Sequence, residues 1–165
     1  MTTTTLVRTR LAGVHDLEQV LAMHRRCSPE TLHRRFHVPM PEVPERLVRR
    51  LLSSTTTWSV LAEQRDEVVG MACAGPVSDH EVEVGLLVAD AHQGTGVGTR
   101  LMRDIAAEAR LRGYTGMICS TQPDNDSVLR TVRRAGLEGV PSWSDGLMEI
   151  AIPLAPLTTT LEQPA

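Results

Sequence analysis

Between residues 81 and 121 an apolar run gives way to a glycine-dense turn, a helical repeat and a second apolar run. The first run, 82–88, has strand length and strand composition. In the repeat, Val97, Leu101, Ile105 and Ala109 recur every four residues, which places them on one helical face, and Gly113 marks its end. The second run, 115–120, reads as another buried strand. Upstream, 6–11 fits a strand, and Asp16-Leu17-Glu18-Gln19 resembles a capping box before a helix with Leu17, Val20, Leu21 and His24 on one face. Ser28-Pro29-Glu30 opens a short helix that must stop by Pro39. Pro44 opens a third, with Leu47, Val48, Leu51 and Leu52 sharing a face. Runs 58–62 and 68–74 predict a hairpin around Arg65-Asp66-Glu67, broken by Gly75-Pro76. Downstream, Asp124 to Ser127 supply cap residues for a helix through Val128, Leu129 and Val132 to Gly136. Strands at 137–140 and 147–152 then flank a turn over 142–146. The pattern predicts one domain over 6–152, a disordered N-terminus at 1–5 and a flexible tail at 153–165, with no internal repeat.

The turn itself, Gln93-Gly94-Thr95-Gly96-Val97-Gly98, carries the candidate chemistry. Three glycines in five residues let the backbone approach a ligand closely and leave several N–H groups without helical partners. At the positive end of a helix those N–H groups suit an anion such as a pyrophosphate. A Walker-type loop needs a lysine, and the chain has none. A dinucleotide fingerprint lacks its third glycine, where Thr99 stands, and its acid, where Cys119-Ser120-Thr121 stands. A turn that only packs helix against strand is the plain structural alternative.

Composition narrows the class. With 165 residues, 41% hydrophobic and 22% charged, the chain has the make-up of a soluble globular domain. Aromatics are scarce, so Leu, Val, Ile, Met and Ala must build the core. Three cysteines without a C-x-x-C spacing give no disulfide framework and no metal site, which fits a reduced, cytoplasmic setting. No run reaches membrane-spanning length, and a net charge of −3 argues against nucleic acid. All 17 basic residues are arginine. Seven of them lie between Arg25 and Arg50, and seven acids lie between Glu63 and Asp90, so either two solvated faces or an acidic flank that attracts a cationic amine is expected.

An apolar strand, Val88-Ala89-Asp90, then Gln93-x-x-Gly96-x-Gly98 resembles the acetyl-coenzyme A signature Q/R-x-x-G-x-G/A of the GNAT N-acetyltransferase superfamily. A second stretch, Asn125, then Val128, Leu129 and Val132, then Ala135-Gly136-Leu137, is similar to the family's asparagine, helix and terminal glycine–aromatic, with Leu137 in the aromatic's place. The likeness spans 6 to about 152. Ser28-Pro29-Glu30-Thr31, Arg35-Phe36 and Val88-Ala89-Asp90-Ala91-His92-Gln93-Gly94 look most like the catalytic domain of bacterial protein-lysine acetyltransferases.

This resemblance implies a GNAT fold: α/β (α+β), with a mixed, mostly antiparallel sheet of six to seven strands and about four helices. It implies an N-acetyltransferase that moves acetyl from acetyl-CoA to a primary amine, a protein lysine among the candidates, by direct attack in a ternary complex. Backbone groups of Leu87, Val88 and Ala89 would hold the pantetheine and polarise the acetyl carbonyl. The segment from Gln93 and Gly94 through Thr95, Gly96, Val97 and Gly98 to Thr99 would cradle the pyrophosphate, and Asn125 would bond the pantetheine or simply cap its helix. Glu83 is the expected general base, with Glu81, two residues away on the same strand face, as runner-up. The family's thiol-protonating tyrosine falls at Val132, and the only tyrosine, Tyr114, lies elsewhere. Two further readings therefore stay open: a catalytically silent acyl-CoA-binding module, and a polyamine- or aminoglycoside-acetylating enzyme. The acceptor site is expected from the 28–52 region and the turn between Ser142 and Gly146, and a homodimer is an expected assembly. His33 and His37 lack a third ligand, Cys119 reads as a small hydrophobe, and His92 as motif scaffolding.

Overall fold

Seven extended segments hydrogen-bond into one sheet. The structure, a computed structural model, describes residues 6–157. In chain order it contains β1 (Arg8–Leu11), α1 (Leu17–Arg25), α2 (Pro29–Phe36), α3 (Glu45–Ser53), β2 (Trp58–Gln64), β3 (Glu67–Pro76), β4 (Glu81–Val88), α4 (Val97–Leu111), β5 (Gly116–Thr121), α5 (Asp126–Arg134), β6 (Val140–Ser144) and β7 (Leu147–Pro153). The sheet order is β1-β2-β3-β4-β5-β7-β6. Only the β4–β5 pair is parallel. The described residues thus hold seven strands and five α-helices, against the six to seven strands and about four helices expected.

Two cores cover the two faces. Val82, Val84 and Val88 of β4 pack with Leu101, Met102 and Ile105 of α4 and with Met117, Ile150 and Ile152. Leu87, on the other face, packs with Val20 and Met23 of α1, Leu32 of α2 and Val48 of α3. The expected helical faces are therefore the buried ones: Leu17, Val20, Leu21 and His24 on α1, and Val97, Leu101, Ile105 and Ala109 on α4. Tyr114 stacks on Trp58, ring centroids 5.7 Å apart, and Arg112 covers the same indole.

Several boundaries differ from the pattern, each for a physical reason. Asp16 makes no capping bond to α1; its carboxylate accepts from the Gly13 N–H and from Arg10. Gly75-Pro76 does not break β3, which pairs with β4 through Pro76↔Val82. Its partner β2 ends opposite Ala74, so the N–H that proline lacks has no carbonyl to serve there. Residues 137–139 are not a strand. The Leu137 N–H closes α5 by donating to Val132 O, and β6 starts only at Val140. Its hairpin with β7 turns on Asp145 and Gly146, both at positive φ, the two-residue turn that Asp-Gly favours. Pro153 ends β7, and Leu154 is buried, its N–H on Thr115 O, so both belong to the sheet rather than to a tail. The expected disorder of 1–5 and of the last eight residues lies outside the described residues.

Candidate functional site

The site starts at the single parallel pair. β4 and β5 are in register only from Glu81↔Gly116 to Glu83↔Ile118, and beyond that they part. The wedge between them widens into a cleft of about 670 Å³, bounded by β4, the glycine turn, Ser120 and Thr121 of β5, α5, and the C-terminal half of α2. Backbone polarity along β4 follows from the β3 pairing. The Ala89 N–H donates to Val69 O, so by alternation Leu87 also uses its backbone groups on β3. Leu86 and Val88 are then the residues whose backbone faces the open side. Of the expected trio Leu87, Val88 and Ala89, Leu87 and Val88 line the cleft, and only Val88 turns a free backbone group to it, its N–H, since Gln93 holds its carbonyl. Leu86, whose backbone also faces away from β3, joins it; the strand period points to Leu86 once one register pair is known.

The glycine turn lies at the cleft mouth. Gly94 and Gly96 have φ of 73° and 93°, and a Cβ on either would meet no protein atom within 4 Å. Gly96 is the N-cap of α4 and provides no side chain, so the N–H groups of Val97, Gly98 and Thr99 lack a side-chain cap. Gly94, Gly96, Gly98 and Thr99 line the cleft, while Val97, the first residue of α4, has its side chain in the core and the Thr95 hydroxyl bonds back to His92 O. Gln93 braces this turn: its amide nitrogen donates to Thr31 Oγ1 at 3.1 Å and to Val88 O at 3.0 Å. The Ser28 cap on α2 is present, accepting from the Thr31 N–H. Asp90 takes the Ser28 N–H at 3.0 Å. Burial pushes the Asp90 carboxyl up, but donation from Ser28 and Thr31 outweighs this and leaves it below its ordinary pKa. One hydrogen-bonded cluster thus joins α2, the end of β4 and the glycine turn.

On the α5 side, Asn125 donates from Nδ2 to Thr121 Oγ1 at 2.8 Å and lines the cleft; it makes no capping bond. Val132 is fully buried in the core and does not line the cleft, whereas Ser127, Val128 and Thr131 of the same helix do. Of the two base candidates, Glu83 lines the cleft. Glu81 lies instead across β5 at Gly116, 3.2 Å from where a Cβ there would be, and is not part of the lining. Cys119 is buried, and burial with the nearby Glu83 charge pushes its thiol up to about 12, so it stays protonated and inert.

The charged lining is Arg34, Arg35, Arg134 and Glu83. This overturns the acidic-flank expectation: Glu63 is held by Arg8 and Arg10, Asp90 by Ser28, and Glu81 lies over Gly116. The turn from Ser142 to Gly146 lines no part of the cleft, because β6 is the far edge of the sheet. Arg35, Phe36, His37, Leu51 and Thr57 form that wall instead. No group of three or more His, Cys, Asp or Glu residues with metal-site geometry occurs among the described residues.

With this geometry the comparisons agree. Residues 17–137 match the Acetyltransferase (GNAT) family, and the chain belongs to it. It is a GNAT-family acetyltransferase, and acetyl-CoA is the acetyl donor such enzymes use. The GNAT domain of S. lividans PAT is similar over 90% of each chain, at 27% identity and a TM-score of 0.83. A putative acetyltransferase, yncA, from Salmonella typhimurium, solved with its cofactor acetyl-CoA, shares 20% identity over 96% of this chain and 99% of its own, TM-score 0.67. A ribosomal-protein-alanine N-acetyltransferase from Brucella melitensis shares 22% over 88% and 98%, TM-score 0.67. The last two share the fold.

Proposed function

We propose that the cleft binds acetyl-CoA along the open edge of β4 and delivers its acetyl group directly to a primary amine positioned by Glu83. The observation that carries this reading is the coincidence, in one cleft, of three features: uncapped N–H groups at α4, a β4 edge that β5 leaves uncovered beyond Glu83, and a single carboxylate. The residues suit the donor. Val97, Gly98 and Thr99 present N–H groups to a pyrophosphate, with open space beside Gly94 and Gly96 for close approach. Leu86 and Val88 offer backbone groups to the pantetheine arm, and Asn125 stands across the wedge. Bound there, acetyl-CoA supplies an activated acyl carbon and a thiol leaving group.

Glu83 then has the base's task. An ammonium has no lone pair, so the acceptor must lose a proton before attack, and a carboxylate at the cleft wall can take it directly or through one water. Leu86 and Val88 amides at the open edge are placed to stabilise negative charge on an acyl oxygen, as preorganised donors do. A protein lysine belongs to this acceptor class and stands as a candidate; the cytoplasmic setting and the homodimer complete the proposal. The test is thiol release from acetyl-CoA over a panel of peptides, amino acids, polyamines and aminoglycosides. Amine-dependent release supports the reading, and binding of acetyl-CoA with no release for any amine overturns it.

A further inference from the structure

Arg35 is a half-buried cation in the cleft with no counter-ion. The other half-buried arginines have partners: Arg10 on Asp16 and Glu63, and Arg110 on Ala155 O. Among the described residues no carboxylate lies within ion-pair distance of Arg35, and its side chain donates no hydrogen bond. It is held instead by its faces. A Cβ built on Gly85 would lie 2.3 Å from its Cζ and 2.5 Å from both Nη atoms, so the guanidinium lies flat over β4 at the one residue without a side chain. Its Cζ also stands 4.9 Å from the Phe36 ring centroid. Both supports leave the N–H edges free, the geometry that binds a planar anion through two parallel bonds.

Glu83 is on the same face of β4, two residues from Gly85, a separation of about 7 Å along a strand. The wall thus presents an acceptor of protons and a donor fork side by side. In the same cleft His37 Nδ1 and Thr57 Oγ1 are buried without partners. A ligand with one cationic and one anionic end fits this pair. A diamine would put its second cation against Arg35, a like-charge contact that costs binding.

We propose, on the reading that this cleft transfers acetyl, that the acceptor is an amine carrying a carboxylate that reaches Arg35 while its nitrogen stands at Glu83. Arg35 binds the carboxylate and sets the specificity; Glu83 takes the ammonium proton. The acceptor nitrogen then forms its bond to the acyl carbon as the carbon–sulfur bond breaks. The electron pair leaves with sulfur, and the second N–H proton passes to that sulfur through solvent. A free amino acid and a peptide lysine beside an acidic residue both have this chemistry.

The experiment compares each acid with its carboxamide: alanine, aspartate and 4-aminobutyrate as free molecules, and a lysine peptide with Asp or Asn as neighbour. Thiol release is expected to favour the acid by about tenfold to a hundredfold in kcat/KM, the scale of one charge-assisted pair, mainly through KM. The arm with the larger ratio names the source. Arg35→Gln should erase the ratio while calorimetric affinity for acetyl-CoA stays unchanged. Gly85→Ala, which keeps the charge but pushes the guanidinium off its seat, should do the same and replaces Arg35→Gln if that variant fails to fold. Equal use of acid and amide, a preference for polyamines, or an equal loss on both substrates in Arg35→Gln overturns the proposal while leaving acetyl transfer intact. If no amine releases thiol, the transfer reading falls. The acceptor role falls with it, and amino-acid binding in the presence of CoA then decides Arg35's part alone: carboxylate- and Arg35-dependent binding keeps Arg35 as a carboxylate seat, and none overturns that too.

Discussion

Glu83 and Glu81 show how one strand gives two like residues different surroundings. Both point to the same face of β4, yet the parallel pairing with β5 ends between them and the wedge. Glu81 therefore rests on Gly116, and Glu83 meets the cleft. Glu83→Gln keeps shape and hydrogen bonding but removes the proton acceptor. Turnover should drop by roughly 10²–10⁴-fold, the usual scale for a positioned base, with acetyl-CoA affinity unchanged. Glu81→Gln should leave the rate near wild type. Steady-state kinetics and calorimetry on the two variants check this; an active Glu83→Gln beside an inactive Glu81→Gln would reverse the assignment.

At the scale of elements, the glycine turn separates two reasons for glycine. Gly96 sits at φ 93°, which a side chain resists whatever space surrounds it, so Gly96→Ala should lower the melting temperature of the ligand-free protein. Gly98 has no such φ. Its Cβ would meet Leu86 Cδ2 at 3.5 Å, ordinary contact, and alanine is the better helix former. Gly98→Ala should therefore melt no lower than wild type, while the added methyl in the cradle shrinks the stabilisation by acetyl-CoA, which for wild type at a hundred times Kd is about 2.7 kcal/mol. Thermal melts with and without ligand distinguish the two. The same turn was legible in the sequence because local rules made it: glycine spacing, an apolar strand before it and a four-residue repeat after it. Leu137 to Gly139 misled for the opposite reason. Those residues look like a strand, but the Leu137 N–H is committed to closing α5, a contact that no period reveals. Arg35 was equally hidden, since its role depends on Gly85, fifty residues away in the chain, lacking a side chain.

Across the whole molecule, charge holds the first strand to the rest. Arg10 on β1 donates to Asp16 at 2.7 and 3.0 Å and to Glu63 at 2.6 and 2.9 Å, tying the entry to α1 onto β2. Both carboxylate residues are buried, at 3% and 8% exposure, so they depend on that guanidinium for compensation. Its hydrogen bonds, opposed by burial, hold both carboxyls below their ordinary pKa. Burial also pushes His24 below its ordinary value, its Nδ1 bonded to Val20 O. The sign is the same for all three: the unfolded chain binds more protons than the folded one, so stability rises with pH. The His24 contribution should fade first, as pH falls below about 6.5, where the unfolded imidazole takes up its proton. The contributions of Asp16 and Glu63 are complete above their unfolded pKa values, about 4, and are lost as pH falls further through the depressed folded values. Melting temperature should thus be flat near pH 7 to 8 and decline in two stages on acidification. Arg10→Gln leaves buried Asp16 with only the Gly13 N–H and Glu63 with only Arg8, and should cost about 3 kcal/mol at pH 7. That cost should shrink at pH 4, where the two carboxylates can take up protons, and the upper, histidine stage should remain. Denaturant melts of both proteins at pH 7.5, 5.5 and 4 measure all of this; a deficit that stays constant with pH would mean that Arg10 acts by packing its stem rather than by its charge.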